Sequence, residues 1–201
     1  DLRKIGFSKD GKFQSPQIML GLLVGEYGYP IGYDIYEGNS YEGNTLIPIL
    51  KKFEQKFNLQ KPIVIADSGL LSKQNIEELK INNYEFILGA RIKNENHITK
   101  KEILSLNLND ENNLASIKKD DLTLILSYTQ KRAKKDKYNR EKGLKRLEKT
   151  IKSGKLTKDK INSRGYNKYL DLKNEIEVVI NYEKFEQDGL WDGIKGYVTN
   201  T

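Results

Sequence analysis

Hydrophobic and polar positions along this chain switch between two periods. Gln17 to Gly25 (QIMLGLLVG) is almost wholly apolar and predicts a strand, and the EYGYP that follows it, with Gly28 and Pro30, predicts a turn. Ile31 to Tyr36 then sets Ile31, Tyr33 and Ile35 against Gly32, Asp34 and Tyr36, the period of two expected of an antiparallel partner. After a loop over Glu37 to Gly43, Leu46, Ile49, Leu50, Phe53 and Phe57 recur at helical spacing, which predicts an amphipathic helix over Thr45 to Phe57 with Pro48 in its first turn. Ile63 to Ala66 has no polar interruption and predicts a strand buried on both faces, stopped by Asp67, Ser68 and Gly69. Ser72 is placed to cap a helix reaching about Asn82, and Tyr84 to Leu88 predicts one more strand. The order β, β, α, β, α, β implies a mixed sheet with helices on its faces.

The remainder reads differently. Asp1 to Ser15 is polar and predicts an irregular stretch with no strand. Arg91 to Asn113 is polar too, with a weak helical signal near Lys100 to Leu106. Leu122 to Tyr128 predicts a strand, and Lys134 to Lys152 a highly charged helix whose narrow apolar seam is Leu144, Leu147 and Ile151. Ser153 to Lys168 reads as a mobile connection, Glu175 to Phe185 as a half-buried strand, Gln187-Asp188-Gly189 as a turn and Gly193 to Thr199 as a last strand.

Charge adds a partner to this outline. The 201 residues carry a net +7, and its distribution says more than its total. Lys131 to Lys160 holds fourteen Lys or Arg against four acids, a local +10, so everything else sums to −3. A field so concentrated attracts polyanions, nucleic acid being the usual one; the plain alternative is a solvated helix in a lysine-rich chain. A length of 201 residues suits one domain or a domain with a large insertion. No run approaches the roughly 20 apolar residues needed to cross a bilayer, so no membrane partner is expected. DLRKIGFSKD is neither a signal peptide nor an initiator sequence, and the chain reads as a piece of something longer. Absence of cysteine excludes disulfides and thiolate metal sites and fits a cytoplasmic location.

The chemistry on offer is carboxylate chemistry. The single histidine, His97, has no Cys or second His near it, so neither a zinc site nor a serine triad has its parts, and a surface position is the better reading. Neither a P-loop nor GxGxxG occurs. Asp67, at the carboxyl end of a predicted central strand, is the strongest candidate, because ligands of open α/β sheets sit there. Its bland reading is a chain-turning or helix-capping acid. Asp34 is a possible second oxygen ligand, although its place in an alternating strand favours a solvent-facing position. A lone Asp holds Mg²⁺ only with further oxygens.

Several motifs, in order, carry a resemblance: DLRKIGFSKDGK, QIMLGLLVGEYGYPIGYDIYEGNSYEGNTLIPIL, IVIADSGLLSKQNIEEL, YEFILGARIK and GIKGYVTN. Together they resemble the insertion-sequence transposases of the DDE class, in the bacterial branch with an insertion between the second and third catalytic carboxylates. The resemblance implies a ribonuclease-H-like mixed sheet with flanking helices and an inserted α+β basic subdomain. The implied division is residues 1–90 as core with its first strand missing, 91–188 as insertion with the basic helix, and 189–201 as return strand. It implies that Asp67 is the second catalytic Asp and a metal ligand, with the first Asp on a strand before Asp1 and the third carboxylate, a Glu, on a helix beyond the VTN strand. Gly38 and Asn39 match a GN loop, where Asn39 serves either the active face or the following turn, and Arg91 matches a basic residue after YEFIL. The implied cofactor is Mg²⁺ (or Mn²⁺), the implied partners are transposon-end and target DNA together with further copies of the protein, and DNA contacts fall to Arg91, Lys131, Arg132, Lys134, Lys135, Lys142 and Lys145. Such a fragment is expected to be catalytically incomplete. Two other functions compete: a non-enzymatic nucleic-acid-binding module derived from a transposase, and an Mg²⁺-dependent phosphotransfer enzyme using Asp67 as nucleophile.

Overall fold

The computed structural model describes residues 1–7, 11, 14–40, 42–58, 60–154, 161–162, 165–174 and 177–201. Ten strands and five α-helices are described, falling into a three-stranded, a five-stranded and a two-stranded sheet. By contacts the chain divides into two compact units, residues 1–90 with 118–124 and 197–201, and residues 91–117 with 125–196.

In the first unit, β2 (Pro16–Val24) pairs antiparallel with β3 (Pro30–Glu37), with Gly21 opposite Asp34 and a register shift at Leu23/Val24. The tight connection holds Tyr27 and Gly28 at positive φ, a strain glycine removes at one of the two positions. A two-residue strand, β1 (Lys4–Ile5), lies along the other edge of β2, with Lys4 opposite Gln17 and Ile5 opposite Pro16. This corrects the expectation of an irregular start. Gly38 makes the approach possible: a Cβ there would meet the Gln17 carbonyl oxygen at 1.9 Å and that of Lys4 at 2.8 Å.

The face of this sheet that is covered is the opposite of the one its alternation suggests. Helix α1 (Leu46–Phe57) packs on the side of Gly21, Gly32 and Asp34, where a Cβ at Gly32 would strike the Phe53 ring at 2.1 Å and one at Gly21 would crowd the Ile49 side chain. Ile18, Leu20, Leu22, Ile31, Tyr33 and Ile35 point the other way and are exposed. Asp34 is therefore half-buried, not solvent-facing. The Lys52 Nζ sits 2.7 Å from its Oδ1, and that hydrogen bond holds its carboxyl below the usual range.

Strand β4 (Val64–Ala66) follows, then helix α2 (Lys73–Ile81) and strand β5 (Phe86–Ala90), which pairs parallel with β4. Ser72 caps α2 as expected, its Oγ accepting the Asn75 N–H at 3.0 Å. The reading of the Ile63 run as buried on both faces is corrected: Val64 is buried, but Ile65 is 75% exposed. The reason is position, because β4 ends the five-stranded sheet, whose order is β4, β5, β10, β7, β6. Of the other members, β6 (Leu114–Lys119) had no counterpart in the sequence pattern, β7 is Leu122–Tyr128, and β10 is Ile194–Thr199. Asp120, at φ +54, makes the tight turn between β6 and β7.

In the second unit, helix α3 (His97–Ser105) starts earlier than its signal, because the Asn96 side chain accepts the Thr99 N–H at 2.9 Å. Helix α4 (Gln130–Lys152) likewise begins four residues before the expected Lys134, capped by Thr129. Of the connection expected over Ser153 to Lys168, residues 155–160 and 163–164 lie outside the described residues, and Gly165–Tyr169 forms a short 3-10 helix. Strands β8 (Leu170–Lys173) and β9 (Glu177–Ile180) pair antiparallel. The single strand expected over Glu175 to Phe185 is a correction: Glu175 and Ile176 lie outside the described residues, and after Ile180 the chain turns into helix α5 (Tyr182–Gly189). Asn181 starts that helix by accepting the Lys184 N–H at 2.9 Å, and Phe185 is buried with Leu147, Tyr169 and Leu170. Gln187, Asp188 and Gly189 are thus the end of a helix, not a free-standing turn.

Candidate functional site

Asp67 follows directly on β4 and is exposed at the carboxyl end of that strand. Its loop is shaped by its own carboxylate, since the Gly69 N–H donates to Oδ1 at 2.7 Å and the Leu70 N–H to the Asp67 carbonyl at 3.3 Å. The neighbouring parallel strand makes room for the turn. A Cβ at Gly89 would lie 2.8 Å from the Ser68 nitrogen and 3.2 Å from the Asp67 carbonyl carbon. Turn-making and solvent presentation coexist here, because a carboxylate has about four acceptor positions and the Gly69 bond occupies one.

Beside it, in the same unit, a groove of about 1220 Å³ runs between β2 and β4. Its walls include Leu20 and Leu22 on one side and Val64 and Ile65 on the other, α1 contributes Leu46 and Phe53, and Asn39, Ser40 and Ala66 also line it. Two strand edges face this groove. β4 is the last strand of its sheet, and β2 carries β1 on that edge only at Pro16 and Gln17 among the described residues. Asn39 is exposed and borders the groove, while the Gly38 carbonyl next to it accepts the Gln17 side-chain amide at 3.0 Å.

The other candidates fall in the second unit. Arg91 is exposed and opens it, immediately after β5. Lys131, Arg132, Lys134, Lys135, Lys142 and Lys145 are all exposed along α4. Arg132 is held by Asp136, 3.3 Å away one turn on. Arg140, by contrast, turns inward, its guanidinium 2.7 Å from the Asp192 carboxylate and over the Phe185 ring. His97 is exposed at the start of α3.

Among the described residues no three or more His, Cys, Asp or Glu side chains converge where they could hold a metal ion. Asp67 has the hard oxygen chemistry Mg²⁺ takes, yet by itself supplies one donor to an ion that wants an octahedral shell. The residues described do not by themselves constitute a divalent-metal centre. A polar role that the sequence did not announce belongs to Asn200, in the VTN stretch: its side-chain amide donates to the Tyr84 carbonyl at 2.9 Å and its carbonyl accepts the Phe86 N–H at 2.9 Å. Only the Asn following an apolar strand end hinted at it.

A mixed five-stranded sheet flanked by helices is the architecture of a ribonuclease-H-like DDE transposase domain. Comparison with protein families agrees: the model for the transposase DDE domain matches residues 5–187. The chain belongs to that family. No curated protein and no solved structure matches it. DDE transposases generally use divalent metal ions and act on DNA, and no helix among the described residues is long and apolar enough to cross a membrane.

Proposed function

We propose that the chain is the catalytic core of a bacterial insertion-sequence transposase, in which Asp67 is one of the metal-holding carboxylates. Family membership over residues 5–187 is the observation that carries this reading, and the exposure of Asp67 at a strand end supports its part in it. A divalent ion bound there, Mg²⁺ or Mn²⁺, would supply charge neutralisation at a phosphodiester. Asp67 contributes an oxygen held in place by the Gly69 N–H.

The core needs further carboxylates, and the groove supports a place for one. A strand running antiparallel to β2, continuing the register in which Lys4 faces Gln17, would pass along the β2 edge and fill the space beside β4. A first catalytic Asp on such a strand, and a Glu on a helix after β10, would complete the triad. The chain taken alone is then catalytically incomplete. Residues 91–188 are the insertion between the second and third carboxylates, and their basic helix, with Arg91, meets transposon-end DNA. The protein works in the cytoplasm on nucleoid DNA and associates with further copies of itself there.

The test is strand transfer by the full-length polypeptide with Mg²⁺ or Mn²⁺. Asp67→Asn should lower turnover by at least ~100-fold, since even groups that merely orient metal ligands typically matter 10- to 100-fold. Undiminished strand transfer by this variant would remove Asp67 from the site. DNA binding without any cleavage by the full-length protein would favour the non-enzymatic module.

A further inference from the structure

Helix α4 sorts its basic residues by face. With about 100° between successive residues, the arc of about 100° centred opposite the packed side holds eight residues: Lys131, Lys134, Lys135, Tyr138, Lys142, Lys145, Lys149 and Lys152. Seven are lysines, all exposed, and the eighth is a tyrosine that is 61% exposed. The opposite arc packs inward through Leu147, Leu144 and Ile151 against Tyr169, Leu170 and Phe185. There Gly143 lets the Tyr166 ring lie against the helix, and Arg140 binds Asp192. The pairs that neutralise charge on this helix are off the stripe: Arg132 with Asp136, and Lys137 with Glu141. No ion pair is made by the stripe lysines among the described residues; Lys142 lies 5.7 Å from the centre of the Tyr138 ring.

We propose that this stripe is a sequence-blind rail for the phosphate backbone of duplex DNA, an inference that rests on the DNA-binding reading above and specifies how that binding is done. Three features support it. From Lys131 to Lys152 the rail is about 31 Å long, close to one turn of B-form duplex at about 34 Å. Its cations are all lysine, compact charges on flexible stems, with no Arg fork and no Asn or Gln amide of the kind that pairs bidentately with base edges. The stripe has one aromatic residue, whereas surfaces that hold single strands stack successive bases on several. Phosphate contacts of this sort set affinity and register and carry no sequence information.

The experiment uses the full chain with three 20-base-pair duplexes of unrelated sequence and one 20-nucleotide single strand, titrated by fluorescence anisotropy between 50 and 200 mM salt. The wild type should bind the three duplexes within about threefold of one another and more tightly than the single strand. The variant K134Q/K135Q/K142Q/K145Q keeps helix propensity and touches nothing in the packed arc. It should lose at least ~10-fold on all three duplexes, with a salt slope shallower by about 3 to 4, while the matching four-fold Lys→Arg variant retains binding and circular dichroism shows both folded. Loss confined to one duplex overturns the rail, because the stripe would then read sequence; so does tighter binding of the single strand. Full binding by the Gln variant overturns it while leaving DNA as the partner. A wild type that binds none of the four probes overturns both.

Discussion

The backbone N–H of Phe86 donates to the side-chain carbonyl of Asn200 at 2.9 Å, joining positions 114 residues apart. The other end of the same side chain donates to the Tyr84 carbonyl. One asparagine thus satisfies two backbone groups beside the fully buried Tyr84 and Phe86, at the start of the strand that neighbours β4. Asn200→Ala leaves both groups unpaired in a part-buried setting and should lower unfolding free energy by about 1–3 kcal/mol. Urea denaturation measures it.

Asp188 should make the second unit sensitive to acid. Burial raises its carboxyl pKa, but hydrogen bonds from Lys168 at 2.8 Å, Lys93 at 2.7 Å and the Tyr169 hydroxyl more than offset this, and the result is about 2. The folded value lies below the unfolded one. Its contribution is therefore fully present above about pH 4 and is lost as pH falls through about 2. A carboxyl held at about 2, below its ordinary range, corresponds to about 2 kcal/mol of stability at neutral pH. Asp188→Asn should reduce stability at pH 7 by an amount of that order and flatten the fall between pH 4 and 2, as read from chemical denaturation across that range.

Arg140 and Asp192 form an enclosed ion pair in the second unit, with side chains 10% and 15% exposed. Removing one partner strands the other charge. Arg140→Ala should cost about 3 kcal/mol, and a double change to Met and Leu less than the sum of the singles. A double-mutant cycle by thermal melting tests both statements.

Gly143 interrupts a helix made mostly of strong helix formers, where Ala would ordinarily gain about 1 kcal/mol. Here a Cβ would lie 2.2 Å from a carbon of the Tyr166 ring. Gly143→Ala should therefore destabilise by about 1–3 kcal/mol. Pairing it with Tyr166→Ala should recover the helix-propensity gain.

Asp67 is exposed, so Asp67→Asn should leave the unfolding free energy within about 0.5 kcal/mol of wild type. The Asn carbonyl replaces the acceptor for Gly69. Unchanged stability combined with lost strand transfer separates a chemical role from a structural one.

Much of this was decided locally. The β2–β3 hairpin, α1, the Ser72-capped α2 and the lysine-rich α4 follow from periodicity, caps and turn residues that act within a few positions, and the Asp67 loop was legible as the end of an apolar run. Which face of β2–β3 is covered was not legible, because alternation marks two faces without saying which one a helix will meet; the close contacts at Gly21 and Gly32 decide it. Ile65 is exposed because β4 is an edge, a property of sheet order that a run of four residues cannot encode. The segment from Tyr182 becomes helix because Asn181 caps it and Phe185 finds Tyr169, Leu147 and Leu170, partners supplied from far along the chain. Residue type set the charge of α4, and tertiary packing alone set the direction it faces, since burying Leu147 and Arg140 leaves the lysines no other side to occupy.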